Sequence, residues 1–310
     1  MVICMALVAA FANAIASICQ RLGVEDAPDG RGPSVGLIRH MVRRPVWLLG
    51  FVIMALGYVA QAVALHLGDL NVVQPILVSE LVMLVFILWL WYSMSLRARD
   101  IAAALATALG LGFFLFVSSP RNGAKAPSNP LWLGVGLVIV LSVSICVLLA
   151  RRGPAWWRAL LLGAGASIGF ALLSAITKSM TNLLVTGWGA LFSSWQLYAI
   201  AVIGLGSFLI MQSAFQVGPF AASQSSLILV NPFVAIAVGH VLFGESLRGG
   251  PLYVSLEVVS LAVMVLGAIG LSTSSLVANV HEENPGNDLL AGRGRYAKWR
   301  RSRAAPSAER

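Results

Sequence analysis

The feature that most constrains this chain is a series of nine long apolar runs separated by short polar segments. A helix needs about 20 mostly apolar residues to cross the hydrocarbon core of a bilayer. The strands of a membrane barrel would instead alternate apolar and polar residues, and these runs do not alternate. We therefore predict an all-α polytopic membrane protein with about nine transmembrane helices. The predicted spans are 2–22, 46–67, 70–93, 100–118, 131–150, 158–181, 195–217, 219–243 and 252–273.

The composition agrees with a membrane protein and argues against a soluble domain. Of the residues, 58% are hydrophobic and 11% are charged, whereas soluble domains carry about 25% charged residues. The formal net charge of +9 would be compatible with nucleic-acid binding. We expect no nucleic-acid partner, because the basic residues lie in short loops between the runs and in the C-terminal tail, where they indicate topology.

The distribution of the basic residues predicts the orientation of the chain in the plasma membrane. Seventeen of the 21 Lys and Arg residues fall on one side if the nine spans alternate, and three fall on the other. Positive charge marks the cytoplasmic side, so we expect an outside N-terminus and a cytoplasmic C-terminus. Ala12-Asn13-Ala14 resembles a signal-peptide cleavage site, but no basic residue precedes Arg21. We therefore interpret the first run as an uncleaved helix.

The two halves of the chain resemble each other at a constant offset of 151 residues. The aligned positions are Gln61 with Gln212, Glu80 with Asn231, and Ser95-Leu96-Arg97 with Ser246-Leu247-Arg248. Equivalent spans are five spans apart and therefore cross the membrane in opposite directions. This arrangement is an inverted-topology repeat, which is common in secondary transporters.

The predicted domain organisation follows from this repeat. The first repeat covers 1–118 with four helices, including a polar loop at 23–45, and the second covers 131–273 with five helices. Residues 119–130 form an outer loop. Residues 274–310 form a basic cytoplasmic tail that we expect to be disordered, because it is poor in apolar residues. Anionic lipids are a possible partner of this tail.

Three segments of the second half resemble the drug/metabolite transporter superfamily of EamA-like proteins. They are Ser-Ser-Leu-Ile-Leu-Val-Asn-Pro at 225–232, Phe-Gly-Glu-Ser-Leu at 243–247 and Val-Leu-Gly-Ala-Ile-Gly at 265–270. Members typically have ten helices in two inverted repeats, so the resemblance implies a transporter that lacks the first helix. In the first half, Met94 stands where Glu245 stands in the second, which departs from the pattern.

Within that superfamily the chain is most similar to the NIPA-type branch, which is associated with magnesium transport. The long first loop, Arg-Pro-Val-Trp at 44–47 and Ile-Thr-Lys at 176–178 carry this similarity. The resemblance implies a magnesium or other divalent-cation transporter as an alternative function.

Glu80 is the strongest candidate for a functional residue. It lies about ten residues, or roughly 15 Å, into the third span, which is the middle of the bilayer. An ionisable group there costs about 2.5–3.5 kcal/mol on insertion scales, so it should face the protein interior or water. Its carboxylate is suited to bind a cation or to carry a coupling proton. The alternative is a buried structural acid.

Further polar residues lie in the spans of both repeats. Pro75 and Pro232 are predicted to kink the third and eighth spans, because a proline frees a backbone carbonyl one turn earlier. Gln224 shares a helix face with Asn231, since the two are seven residues apart. We expect a substrate or ion pathway, with amide hydrogen bonds between helices as the alternative. The pathway candidates are Glu80, Asn231, Gln61, Gln212, Gln224 and Lys178.

Lys178 and Glu245 both fall near the predicted outer ends of spans. Lys178 can extend its ammonium to the interface there, and a gate or counter-ion role is the alternative. We assign Glu245 to the chemistry of a turn that follows the eighth span.

We interpret the chain as a secondary transporter that moves a small solute or ion by alternating access, and not as an enzyme. We find neither a nucleotide-binding loop nor a metal-ligand spacing nor a nucleophile elbow, so we expect no cofactor and no metal. The alternatives are the magnesium transporter and a non-transporting membrane scaffold.

Overall fold

The computed structural model describes residues 1–24, 42–92, 97–118, 127–184, 189, 192–245 and 250–272, and these residues fold into α-helices without a β-strand. The helices are α1 (Val2–Val24), α2 (Pro45–Leu67), α3 (Leu70–Leu77), α4 (Ser79–Tyr92), α5 (Ala98–Ser118), α6 (Asn129–Leu149), α7 (Ala155–Leu184), α8 (Trp195–Val217), α9 (Phe220–Phe243) and α10 (Pro251–Ser272).

The described helices confirm the all-α class and the multi-pass membrane organisation. Within the described part of the chain, nine spans are long and apolar enough to cross a bilayer, and each coincides with one predicted run. The predicted tail at 274–310 lies outside the described residues. Most of the predicted loops at 23–45 and 119–130 lies outside them as well.

The third span consists of two helices, α3 and α4, which are separated at Val78. Pro75 lies inside α3, which continues past it to Leu77, so the missing N–H of the proline does not by itself end the helix. The N–H of Val78 instead donates to the carbonyl of Pro75 at 3.1 Å, which is a tighter turn. Pro232 lies within α9, which continues without a break from Phe220 to Phe243.

Arg21 is one of the seventeen basic residues that were counted on the predicted cytoplasmic side. It lies in the last turn of α1 and is only 2% exposed. Its charge therefore lies within the helix bundle and is not part of the charge of a loop. Sixteen basic residues remain on the predicted cytoplasmic side, so the predicted orientation does not depend on Arg21.

The helix α7 is the most buried span, and it packs against α6, α8, α9 and α2. The helix α1 packs against α2, α3 and α4, while α5 packs against α10. The helix α6 contacts little besides α7, and its outer face is apolar and exposed at Leu133, Leu137 and Leu141. Such a face suits lipid, so the interior of the bundle lies among α1, α3, α4, α7 and α9.

The close contact between α5 and α10 depends on glycine. A Cβ at Gly110 would lie 2.5 Å from the backbone nitrogen of Met264, whereas a Cβ at Gly112 would meet no atom within 4 Å. We expect Gly110→Ala to destabilise the protein by about 1–3 kcal/mol, because overpacking forces the two backbones apart. Thermal unfolding in detergent would measure this loss. Gly112→Ala is the matched control on the same helix, and equal stability of the two variants would contradict the close contact.

Candidate functional site

A cavity of about 450 Å³ lies in the middle of the helix bundle. Its walls come from α1, α2, α3, α4, α7, α8 and α9, so both halves of the sequence contribute. Four of the predicted pathway residues line it, namely Glu80, Gln61, Gln224 and Asn231. The remaining lining residues are mostly apolar or aromatic. The cavity therefore combines a few polar groups with a large apolar surface, as ligand sites usually do.

Glu80 joins three helices at one wall of the cavity. It lies in the first turn of α4, and the residue is 8% exposed. Its Oε1 accepts hydrogen bonds from the Nε2 of Gln224 in α9 at 2.8 Å and from the hydroxyl of Ser17 in α1 at 3.3 Å. These donors fix the position of the acid side chain between α1, α4 and α9. The geometry leaves the acid accessible to a ligand in the cavity.

Asn231 forms a second polar contact, between α9 and α3. Its Nδ2 donates to the Oε1 of Gln74 at 2.8 Å. Three buried polar atoms along this wall have no hydrogen-bond partner among the described residues: the Oδ1 of Asn231, the Nε2 of Gln74 and the Oε1 of Gln224. Buried polar groups normally have partners. The wall therefore retains hydrogen-bonding capacity for a ligand or for water.

The two equivalent glutamines of the sequence repeat have different surroundings. Gln61 lines the cavity, and its Nε2 donates to the hydroxyl of Ser174 in α7 at 3.0 Å. Gln212 is fully buried and does not line the cavity. Its Nε2 donates to the Oε1 of Gln20 at 2.7 Å, and its Oε1 accepts from the indole N–H of Trp47 at 3.2 Å. Gln212 thus holds α8 against α1 and α2.

Lys178 lies in a buried ionic cluster away from the cavity wall. Its Nζ is 2.5 Å from the Oδ1 of Asp69 and 2.7 Å from the Oε1 of Glu245. The ammonium also lies 5.3 Å from the centre of the Phe243 ring. The carboxylate of Glu245 accepts the N–H groups of Leu70 at 3.2 Å and Asn71 at 3.1 Å, which begin α3. The cluster therefore ties α3, α7 and the end of α9 together.

The sequence predicted the surroundings of Lys178 and Glu245 wrongly. Lys178 does not extend to the interface, because two carboxylates neutralise it inside the bundle and it is only 7% exposed. Glu245 is 0% exposed and does more than shape a turn, since it binds both the lysine and the first turn of α3. The alternative of a counter-ion for Lys178 fits these contacts.

The cavity lining reaches the exposed surface of the bundle near α2 and α8. The two helices meet at one end, where the Trp47 and Phe208 rings lie 6.0 Å apart and the Phe51 and Phe208 rings lie 5.8 Å apart. Nearer the middle of the spans, the lining residues Ala201 and Leu205 are exposed at the outer surface of the bundle. These two residues connect the lining of the cavity to the exposed surface of the bundle.

Sequence reasoning missed several polar residues of the site. Asn13, Ser17 and Gln20 line the cavity from α1. Their spacing of four and three residues places them on one helix face, and this pattern was available in the sequence. Asp69 was missed as well, because it precedes α3 as part of a tight turn and its partner Lys178 is 109 residues away.

The fold and the site define a multi-pass membrane protein with a central cavity that combines, among the described residues, one carboxylic acid with several amides. The chain is similar to an uncharacterised protein of Corynebacterium glutamicum, at 26% identity over 256 residues that cover 82% of this chain and 88% of the relative. No family model and no solved structure matches the chain.

Proposed function

We propose that this protein is a secondary transporter that moves a small solute across the membrane by alternating access. The observation that carries this proposal is the cavity around Glu80, which lies at the middle of the spans and receives side chains from both halves of the chain. Transporter sites typically lie near the middle of the membrane, at the interface of two repeats.

Reciprocal contacts between α3/α4 and α9 support the inverted repeat. Glu80 accepts from Gln224, while its counterpart Asn231 donates to Gln74. Glu80 thus contacts the glutamine that lies seven positions before Asn231. Asn231 in turn contacts the glutamine that lies six positions before Glu80. The turns at Gly68 and Gly218 also share an extended backbone, with φ of −155° and −161°. Two similar units that face each other in this way can exchange their shapes.

The Lys178 cluster is the proposed gate at one end of the cavity. The charge distribution assigns this end to the outside of the cell, as it contains the turn before α3 and the end of α9. Opening the cavity toward this end would separate α3, α7 and α9, which requires breaking the ion pairs of Lys178 with Asp69 and Glu245.

The magnesium transporter, which the family resemblance implies, demands a different set of ligands. Mg²⁺ requires oxygen ligands in near-octahedral geometry and gives up its waters reluctantly. Among the described lining residues, Glu80 is the one carboxylate, and the other oxygens belong to amides and hydroxyls. This set is sparse for a divalent cation, so we favour another small solute.

Cysteine labelling tests alternating access directly. Leu173 lines the cavity and is 8% exposed. In a chain with its three native cysteines replaced, we expect Leu173→Cys to react with a membrane-impermeant thiol reagent added to either side of oriented vesicles. A cavity that opens in turn to each side exposes the same thiol to both compartments.

The control is Leu137→Cys on the outer face of α6, where the side chain is 61% exposed to the predicted lipid. It should react from neither side, since lipid excludes the charged reagent. Labelling of Leu173→Cys from one side under all conditions would contradict alternating access and would favour a non-transporting membrane protein.

A further inference from the structure

We propose that the solute is an amphiphile whose protonated amine binds at Glu80 and whose hydrocarbon part passes between α2 and α8 into the bilayer. This inference rests on the transporter function proposed above and names the class of substrate. Two independent observations lead to it, the charge and hydrogen-bonding character of one wall and the lateral opening of another.

The charge of the cavity favours a cation. Among its described lining residues, Glu80 is the one ionisable acid, and no Lys, Arg or His is present. An anionic solute would therefore find no counter-charge and would face the carboxylate across a low-dielectric space. A single positive charge, in contrast, forms one ion pair with Glu80. This matches an organic monocation better than a metal dication.

The spare hydrogen-bonding groups favour an ammonium as the charged group. The Oε1 of Gln224 and the Oδ1 of Asn231 are buried acceptors without a partner among the described residues. Gln224 is 1% exposed, and its Nε2 already holds the Glu80 carboxylate. A protonated amine carries only donors, as many as three, and no acceptor. It can therefore bind the carboxylate and an amide oxygen at the same time.

Aromatic and sulphur-containing side chains form another part of the cavity lining. Phe51, Tyr58 and Phe208 line the cavity together with Met54 and Met211. Aromatic faces attract cations within about 6 Å of the ring centre. Methionine adapts to irregular apolar shapes. This part of the lining suits an amine with an apolar body, and a strongly hydrated inorganic ion would gain little from it.

The opening between α2 and α8 gives the hydrocarbon part a path. Ala55 of α2 and Ala201 and Leu205 of α8 line the cavity and are also exposed on the outer surface. They lie near the middle of their helices, at the depth of the hydrocarbon core. An alkyl chain that leaves the cavity here stays in an apolar environment throughout. A solute with an apolar tail can therefore enter from the membrane without crossing water.

The test uses n-octylamine, n-octanol, n-octanoate and n-butylamine as probes, with the full chain in phosphatidylcholine nanodiscs. Empty nanodiscs correct for partition into lipid. We expect octylamine to bind at least about tenfold more tightly than octanol, as expected for one desolvated charge pair, and octanoate to bind weakest. Glu80→Gln should remove the preference of the site for octylamine over octanol. Equal binding of the three octyl probes to the unmodified protein would overturn the proposal.

A second variant separates binding of the amine from binding of the hydrocarbon chain. Leu205→Trp narrows the opening, so we expect it to weaken octylamine binding by at least about tenfold, as for loss of a well-packed apolar contact, and to weaken butylamine binding much less. Leu137→Trp on the outer face of α6 is the matched control and should change neither. An octylamine affinity unchanged by Leu205→Trp would overturn the lateral path. The labelling of Leu173→Cys reports alternating access independently of these probes, so failure of the amine proposal and failure of the transporter proposal give different results.

Discussion

Glu80→Gln should abolish solute flux in reconstituted vesicles and leave the stability of the protein unchanged. Truncating one member of a buried charge pair costs about 2–5 kcal/mol, which corresponds to a loss of about 30-fold to a few thousandfold in affinity. Glutamine retains a carbonyl oxygen that can accept the bonds from Ser17 and Gln224. The helices should therefore stay in place while the negative charge is removed. Flux and thermal unfolding of the same preparation would separate the two effects.

The matched control is Asp100→Asn, which neutralises another buried acid. Asp100 is 1% exposed in the first turn of α5, and it does not line the cavity. Its Oδ2 accepts the N–H of Arg97 at 3.1 Å, and an asparagine can accept the same bond. We expect flux close to that of the unmodified protein. If Glu80→Gln also retained that flux, Glu80 would have no part in the mechanism.

The helical spans could be predicted from the sequence because they depend on local composition. A run of apolar residues must avoid water wherever it is placed, so its length alone indicates a span. The interruption of the third span at Val78 could not be predicted in this way, because the missing N–H of Pro75 acts on the preceding turn and α3 continues past the proline to Leu77. Glu80 could be identified from its depth in an apolar run, without knowledge of its neighbours.

The partners of these residues could not be predicted, because they lie on other helices. Glu80 binds Gln224, which is 144 residues away, and Lys178 binds Glu245, which is 67 residues away. Nothing in the local sequence distinguishes a lysine that reaches the interface from one that is buried in an ion pair. That distinction depends on how α3, α7 and α9 pack, which fixes whether carboxylates lie within reach.

Lys178→Met should destabilise the protein more than any other substitution considered. Methionine is similar in length and removes only the charge, so Asp69 and Glu245 would remain buried without their cation. Removing one partner of a buried ion pair costs about 3–5 kcal/mol. Exposed pairs contribute about 0–1 kcal/mol, so the size of the loss reports whether the cluster is truly desolvated. Chemical unfolding in detergent micelles would measure it.

A double variant identifies the cause of that loss. Lys178→Met combined with Asp69→Asn removes one of the two uncompensated charges, while Glu245 keeps the N–H groups of Leu70 and Asn71. We therefore expect the double variant to be more stable than Lys178→Met alone, because a neutral amide is easier to bury than an unpaired carboxylate. If Asp69→Asn instead destabilised the protein equally in both backgrounds, the two residues would not interact. The Lys178 cluster would then lose its proposed role as a gate, since ion pairs that contribute nothing to closure cannot hold α3, α7 and α9 together.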